Sequence, residues 1–207
     1  VEGKNASKRH LKYNDNGHTE FDSKQGKTLS YNAANRLTHI AFADGSQADY
    51  IYNAKGQRVV KTLTSSNGKV TISHYHFNQQ DLLIAETREN GEPLVEYIYL
   101  NKKRIASVKY QVDRQIIEYV HNDHLGSPMI KTNDIAEITW YNQTLPFGQE
   151  YAVSKVTQGF GFPGQYQDVE SGFSYNYFRD YDSSLGRYIQ SDPIGLEGGI
   201  NTFAYVL

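Results

Sequence analysis

The chain has 207 residues, 38% of them hydrophobic, with 21 Lys and Arg against 23 Asp and Glu and a net charge of −2. That length can bury a core as one domain or two small ones. Interleaved charges with no long basic run argue against a nucleic-acid footprint, and no apolar stretch approaches a membrane span. Cysteine is absent, which excludes disulfides and thiolate metal sites without fixing a compartment. The 17 tyrosines outnumber the 9 Phe and 1 Trp together. Tyrosine suits half-buried strands, with the ring packed and the hydroxyl wet, so the composition points to a folded, strand-rich chain.

The opening Val1-Glu2-Gly3-Lys4-Asn5 has no signal-peptide pattern and reads as part of a longer chain whose targeting information lies elsewhere. Turn signals then recur at Asn16-Gly17, Asp44-Gly45, Lys55-Gly56, Asn67-Gly68, Asn90-Gly91 and Asp113-Arg114. Between them lie β-rich runs: Gln47–Tyr52, Gln57–Leu63, Lys69–Phe77, Leu82–Glu86, Leu94–Leu100, Arg104–Tyr110 and Gln115–Val120. No segment has a long helical period, so a succession of hairpins is predicted.

An internal repeat runs through these hairpins. Tyr31-Asn32-Ala33-Ala34-Asn35-Arg36-Leu37 and Tyr52-Asn53-Ala54-Lys55-Gly56-Gln57-Arg58-Val59 share one order, aromatic, Asn, turn residue, Arg, apolar, with their tyrosines 21 positions apart. Weaker copies begin at Tyr13, Phe77 and Tyr99. A period near twenty residues signals a stacked array in which no unit buries its apolar face alone. Asn or Asp caps each turn, Gly takes the left-handed position, and the Arg–apolar pair starts the next strand.

The second half departs from this pattern. His121-Asn122-Asp123-His124-Leu125-Gly126-Ser127-Pro128 leads to Trp140, Pro146-Phe147-Gly148 and Phe162-Pro163-Gly164. The chain then reaches Tyr177-Phe178-Arg179-Asp180-Tyr181-Asp182 and Gly186-Arg187-Tyr188-Ile189-Gln190-Ser191-Asp192-Pro193-Ile194-Gly195-Leu196. The repeats resemble the YD repeat (Tyr-Asp-x-x-Gly-Arg-Leu), and the later landmarks, in this order, resemble the core-associated region of Rhs/YD-repeat proteins. The resemblance covers about Tyr31 to Tyr205.

Local spacing offers few catalytic or metal constellations. His121 and His124 point to opposite faces of an extended strand, and His74 and His76 share a face without sequence-local partners, so ligand counts favour structural histidines and no metal or cofactor is expected. No His is placed to activate Ser127 or Ser191. Gly159-Phe160-Gly161-Phe162-Pro163-Gly164 is glycine-rich but lacks the strand-to-helix setting of a phosphate loop.

Asp180 and Asp192 form the sharper pair. Two carboxylates sharing a proton can divide acid and base roles in peptide hydrolysis, with a neighbouring cation such as Arg179 holding one ionised. Their separation of twelve positions allows a hairpin but does not enforce contact. Both residues also suit turn caps and surface ion pairs, and local sequence leaves those alternatives open. The resemblance selects them: it implies that Arg179, Asp180 and the Asp192 of an Asp-Pro-x-Gly-Leu motif are associated with autoproteolysis, cutting after a second such motif downstream. This sequence ends at Leu207 after Tyr-Val, before any second motif, so it is not expected to cut itself.

The resemblance implies an all-β chain: stacked hairpins over 1–120, part of a curved, cocoon-like shell, then an irregular core-associated plug segment over 121–207. It implies a toxin-enclosing role, with the rest of the shell and a C-terminal toxin domain as partners. The same resemblance implies a bacterial cytoplasmic protein before export by a type VI secretion apparatus or a toxin-complex injector. Two alternatives stand beside it: a carbohydrate-binding or adhesion module stacking sugars on Tyr and Trp140, and an inactive orphan shell fragment.

Overall fold

A computed structural model of the chain describes residues 8–142, 144–149, 159–160 and 165–205. Thirteen antiparallel strands form one sheet in strict chain order: β1 (Leu11–Tyr13), β2 (Thr19–Asp22), β3 (Lys27–Tyr31), β4 (Leu37–Ala41), β5 (Gln47–Tyr52), β6 (Arg58–Thr64), β7 (Val70–Phe77), β8 (Leu83–Arg88), β9 (Pro93–Leu100), β10 (Lys103–Gln111), β11 (Arg114–Asn122), β12 (Pro128–Thr132) and β13 (Ile138–Tyr141). A small sheet follows: β14 (Gly159–Phe160), β15 (Tyr166–Asp168), β16 (Phe173–Asn176), β17 (Arg179–Asp182) and β18 (Arg187–Tyr188). There is no α-helix among the described residues, only a 3-10 turn at Gly195–Gly198. The all-β expectation is met. β12 and β13, within the segment expected to be core-associated, extend the long sheet as far as Tyr141.

The repeat has a physical identity in its turns. At Asn14, Asn32, Asn53, Asn78, Asp123 and Asn133 the side-chain oxygen accepts the backbone N–H groups two and four residues ahead. The residue three ahead takes positive φ each time: Gly17, Asn35, Gly56, Asp81, Gly126 and Ala136. The acceptor at the second motif position is therefore what fixes the turn, and Asn serves as well as Asp. The copy expected at Tyr99 differs. Asn101 and Lys102 both have positive φ and close β9 onto β10 through the Leu100–Lys103 pair, a two-residue hairpin.

Repeat tyrosines tie each unit to the one before. Tyr31, Tyr52 and Tyr99 donate their hydroxyls to the carbonyls of Thr19, Leu37 and Leu83, at 2.6, 2.6 and 2.9 Å. Each accepting residue opens a strand in the preceding unit, so the ring packs while the hydroxyl satisfies a backbone group near the turn.

Register places one side-chain set on the inner face of the long sheet. Leu29, Ile40, Ala48 and Leu63 form one cross-strand row, and Tyr50, Lys61 and Ser73 another. The small sheet packs here. Phe173 and Ile189 join the cluster of Leu29, Leu37, Ile40, Ala48 and Tyr50, while Tyr166 joins Tyr75, Leu83 and Tyr97. Thr19 also donates its backbone N–H to Ile189, linking β2 to the segment after β18.

Candidate functional site

Both sheets bury charge where they meet. Arg58, 2% exposed, donates to Asp168 through Nη1 at 2.6 Å and Nη2 at 2.9 Å. Lys61 donates to the same carboxylate at 3.1 Å and lies 3.2 Å from Glu170. The Arg58 guanidinium stacks 4.3 Å from the Tyr175 ring centroid and 4.8 Å from that of Tyr50. Burial opposes the Asp168 charge, but Arg58 and Lys61 overcome it and hold the carboxyl below its ordinary range; Glu170 is pushed up by burial and by Asp168.

The same pattern recurs along the array. Arg36 donates to the Tyr177 carbonyl and sits 4.4 Å from the Phe178 ring centroid. Lys27 donates to the Ser171 carbonyl and lies 4.2 Å above the Phe173 ring. Arg9 bridges Asp22 and Asp182, reaching the latter at 2.6 Å. At Arg36 and Arg58 the cation that follows the repeat turn is thus an inward-facing contact to the small sheet, and Lys27 and Arg9 reach the same sheet from outside the repeat turns. Sequence reasoning placed the repeat cation only as the start of a strand; the recurrence of cations at Lys27, Arg36 and Arg58 beside an aromatic-rich second half was the available signal.

Arg179 and Asp192 are brought together. Arg179 Nη2 lies 2.9 Å from Asp192 Oδ2, and its guanidinium carbon stands 3.7 Å from the Tyr188 ring centroid. The Oδ1 of Asp192 accepts the Ile194 N–H at 3.0 Å, so this residue also caps the turn that opens Asp-Pro-Ile-Gly. Its own N–H donates to the Thr202 carbonyl, which fixes its backbone against the tail.

Asp180 is held separately. Its N–H donates to Gln190 Oε1 at 2.8 Å, and its Oδ2 accepts from Gln190 Nε2 at 2.6 Å. It is 3% exposed, and burial raises it to about 6, against the pull of Arg58, the Gln190 hydrogen bond and Arg36, with Asp168 adding to the rise. No hydrogen bond joins the Asp180 and Asp192 side chains among the described residues. The chemical capacity here is one carboxyl whose protonated form burial favours, raising it to about 6, and one carboxylate paired with a cation.

Of the ion pairs weighed for this stretch, Arg179–Asp192 forms, while Asp182 and Arg187 find other partners. Asp182 meets Arg9, and Arg187 donates to the Tyr13 hydroxyl and lies 4.9 Å from the Phe203 ring centroid. His76 and His121 share hydrogen bonds with Thr87 and Thr132 across neighbouring strands. No group of three or more His, Asp or Glu side chains able to hold a metal occurs among the described residues. No helix of the described residues is long and apolar enough to cross a membrane. Trp140 lies 5.1 Å from the Lys131 ammonium. Phe162-Pro163-Gly164, the rest of the Gly161–Gly164 run and Leu207 lie outside the described residues.

A long sheet of Tyr-Asn turns, with a small sheet seated on its inner face through the repeat cations, defines a YD-repeat protein. Residues 31–70 match the RHS Repeat family model. The chain is 29% identical over 210 residues to the double-stranded DNA deaminase toxin A of Burkholderia cenocepacia, covering 87% of this chain and 15% of that protein. It is 28% identical over 213 residues to the toxin protein Tse5 of Pseudomonas aeruginosa, covering 86% and 16%. The crystal structure of TcdB2-TccC3 superposes with a TM-score of 0.74 at 19% identity, over 93% of this chain and 10% of that one, and shows a shared fold. The chain is an Rhs/YD-repeat protein, and it spans about a sixth of the length of these two toxin relatives.

Proposed function

We propose that this chain is the C-terminal part of an Rhs shell that encloses a toxin domain and supports its release by self-cleavage. The observation that carries the reading is the buried electrostatic seat of the small sheet on the repeat wall: Arg58, Lys61 and Arg36 receive Asp168, Glu170 and the Tyr177 carbonyl. A plug so fixed closes one region of the wall and presents the Arg179–Asp180 step of β17 beside the Asp192 turn. The rest of the shell and the toxin domain are its partners, and it leaves the bacterial cytoplasm as a secreted or injected effector through a type VI apparatus or a toxin-complex injector.

In the cleavage reaction Asp192, held by Arg179, activates a water, and Asp180, raised by burial to about 6, donates to the leaving amine from its protonated form, so the reaction is favoured toward mildly acidic pH. Delivery of a peptide to both groups requires the downstream segment that contains the scissile bond. The test extends the gene through the next Asp-Pro-x-Gly-Leu and compares wild type with Asp192→Asn, Asp180→Asn and Arg179→Ala by intact mass. A cut after the second Leu that disappears in both Asp variants supports the reading. Uncut, folded chains throughout would leave a passive container with these carboxylates as structural residues.

A further inference from the structure

A cleft of about 400 Å³ opens between the small sheet and the turns that join β7 to β8, β9 to β10 and β11 to β12. Its walls include the rings of Tyr99 and Tyr175, and Lys102, Lys103 and Arg104 line it from one hairpin. The carboxylate in the described lining is Asp81, which already accepts from Lys55 at 3.1 Å and Gln57 at 3.0 Å. The cleft therefore presents cationic side chains over aromatic walls.

Gln165, also in the lining, is 6% exposed and carries a polar group to match. Its Nε2 donates to the Tyr205 hydroxyl at 3.0 Å, while its Oε1 is buried with no hydrogen-bond partner among the described residues. An unmet buried acceptor is costly, so a ligand that brings an N–H is favoured there. Lys102 adds a second oddity. It takes φ of 65° in a turn position that suits Gly, a strained place for a long side chain that faces the cleft.

The backbone argues against a phosphate site. Amide groups of Asp81, Leu82, Leu125 and Gly126 are spent inside their own turns, so they form no open cradle for a phosphate. An extended peptide instead supplies N–H donors at every second residue, carboxylates for the lysines and apolar side chains for the rings.

We propose that this cleft binds an extended acidic peptide segment, its carboxylates on Lys102 and Lys103 and a backbone N–H on Gln165 Oε1. The inference stands apart from the self-cleavage reading, since it uses none of Arg179, Asp180 or Asp192.

The test is fluorescence polarisation with a labelled peptide of alternating Glu and Leu, beside the same peptide with Gln in place of Glu. Unlabelled AMP and inorganic phosphate serve as competitors. The double variant Lys102→Gly, Lys103→Gln relieves the turn strain, so loss of binding cannot be put down to misfolding. Saturable binding of the Glu peptide, weakened about tenfold or more in the double variant and for the Gln peptide, is expected. Gln165→Leu, which removes the orphan acceptor together with the bond to Tyr205, weakens binding, and its unfolding midpoint is measured alongside so that a loss of fold is seen. Absence of saturable binding, equal binding of both peptides, or full affinity in the double variant would overturn the proposal. Displacement by phosphate or AMP at lower concentration than by unlabelled peptide would reassign the cleft to a phosphate ligand and equally overturn it.

Discussion

Asp180→Asn is expected to stabilise the fold at neutral and alkaline pH, although it alters a residue proposed to act in cleavage. Asp180 is 3% exposed and lies close enough to Tyr31, Tyr52 and Tyr175 to push their hydroxyls further up. Burial raises its carboxyl to about 6 from 3.8. The folded value lies above the unfolded one, so between the two the native state binds the extra proton. Stability accordingly falls as pH rises through that interval and levels off above it. With about 1.4 kcal/mol for each pH unit between the values, the ionised carboxylate costs the fold on the order of 3 kcal/mol at about pH 8. Asn is uncharged, nearly isosteric, and keeps the oxygen that accepts from Gln190. Urea unfolding of both proteins at about pH 8 and about pH 4 measures the difference, with a gain of about 2–3 kcal/mol expected at the higher pH and nearly none at the lower. A variant less stable than wild type at the higher pH would refute the reasoning, because the attraction of Arg58 and Arg36 would then outweigh burial. An equal gain at both values would do the same, since it would have nothing to do with the charge.

Asp168→Asn leaves Arg58 and Lys61 buried without their shared carboxylate, and a loss of about 3–5 kcal/mol is expected in the same urea assay. Tyr52→Phe removes the hydroxyl that the Leu37 carbonyl accepts, with an expected loss of about 1 kcal/mol by thermal unfolding. Gly26→Ala combines a φ of 56° with a new Cβ only 2.7 Å from that of Ala43; a loss above about 1 kcal/mol is expected, and an unchanged melting temperature would show that the turn can shift.

The hairpins were legible because their chemistry is local. The run Gln47–Tyr52 coincides with β5, and the runs from Gln57 to Val120 fall on β6 to β11 with ends displaced by one or two residues. Asn53 and Gly56 sit three positions apart in sequence and act on the same turn, so the eye finds them. Contacts across the interface were not legible in that way. Arg58 meets Asp168 from 110 residues away, and Arg9 meets Asp182 from 173 away, and nothing near either partner marks the other. The candidate site was half legible: an Arg-Asp step and an Asp-Pro turn stood out, and the Arg179–Asp192 pair followed. The role of Gln190 did not, because a glutamine two residues before an Asp carries no signal until β17 lies beside it.

Buried charge also explains why the small sheet has one seat on the long one. Apolar contact alone would let Phe173 or Tyr166 slide along a wall whose inner face repeats every unit, since each row offers similar rings and aliphatic groups. Ion pairs do not tolerate such a slip. Moving Asp168 by one unit would strand Arg58 and Lys61 without a counter-charge, and each uncompensated buried ion costs several kcal/mol. The net stabilisation from the pairs is small because desolvation offsets attraction, but the difference between the right seat and a wrong one is large. The cations that open the strands after two of the repeat turns, Arg36 and Arg58, thereby give a periodic surface a single address for the small sheet.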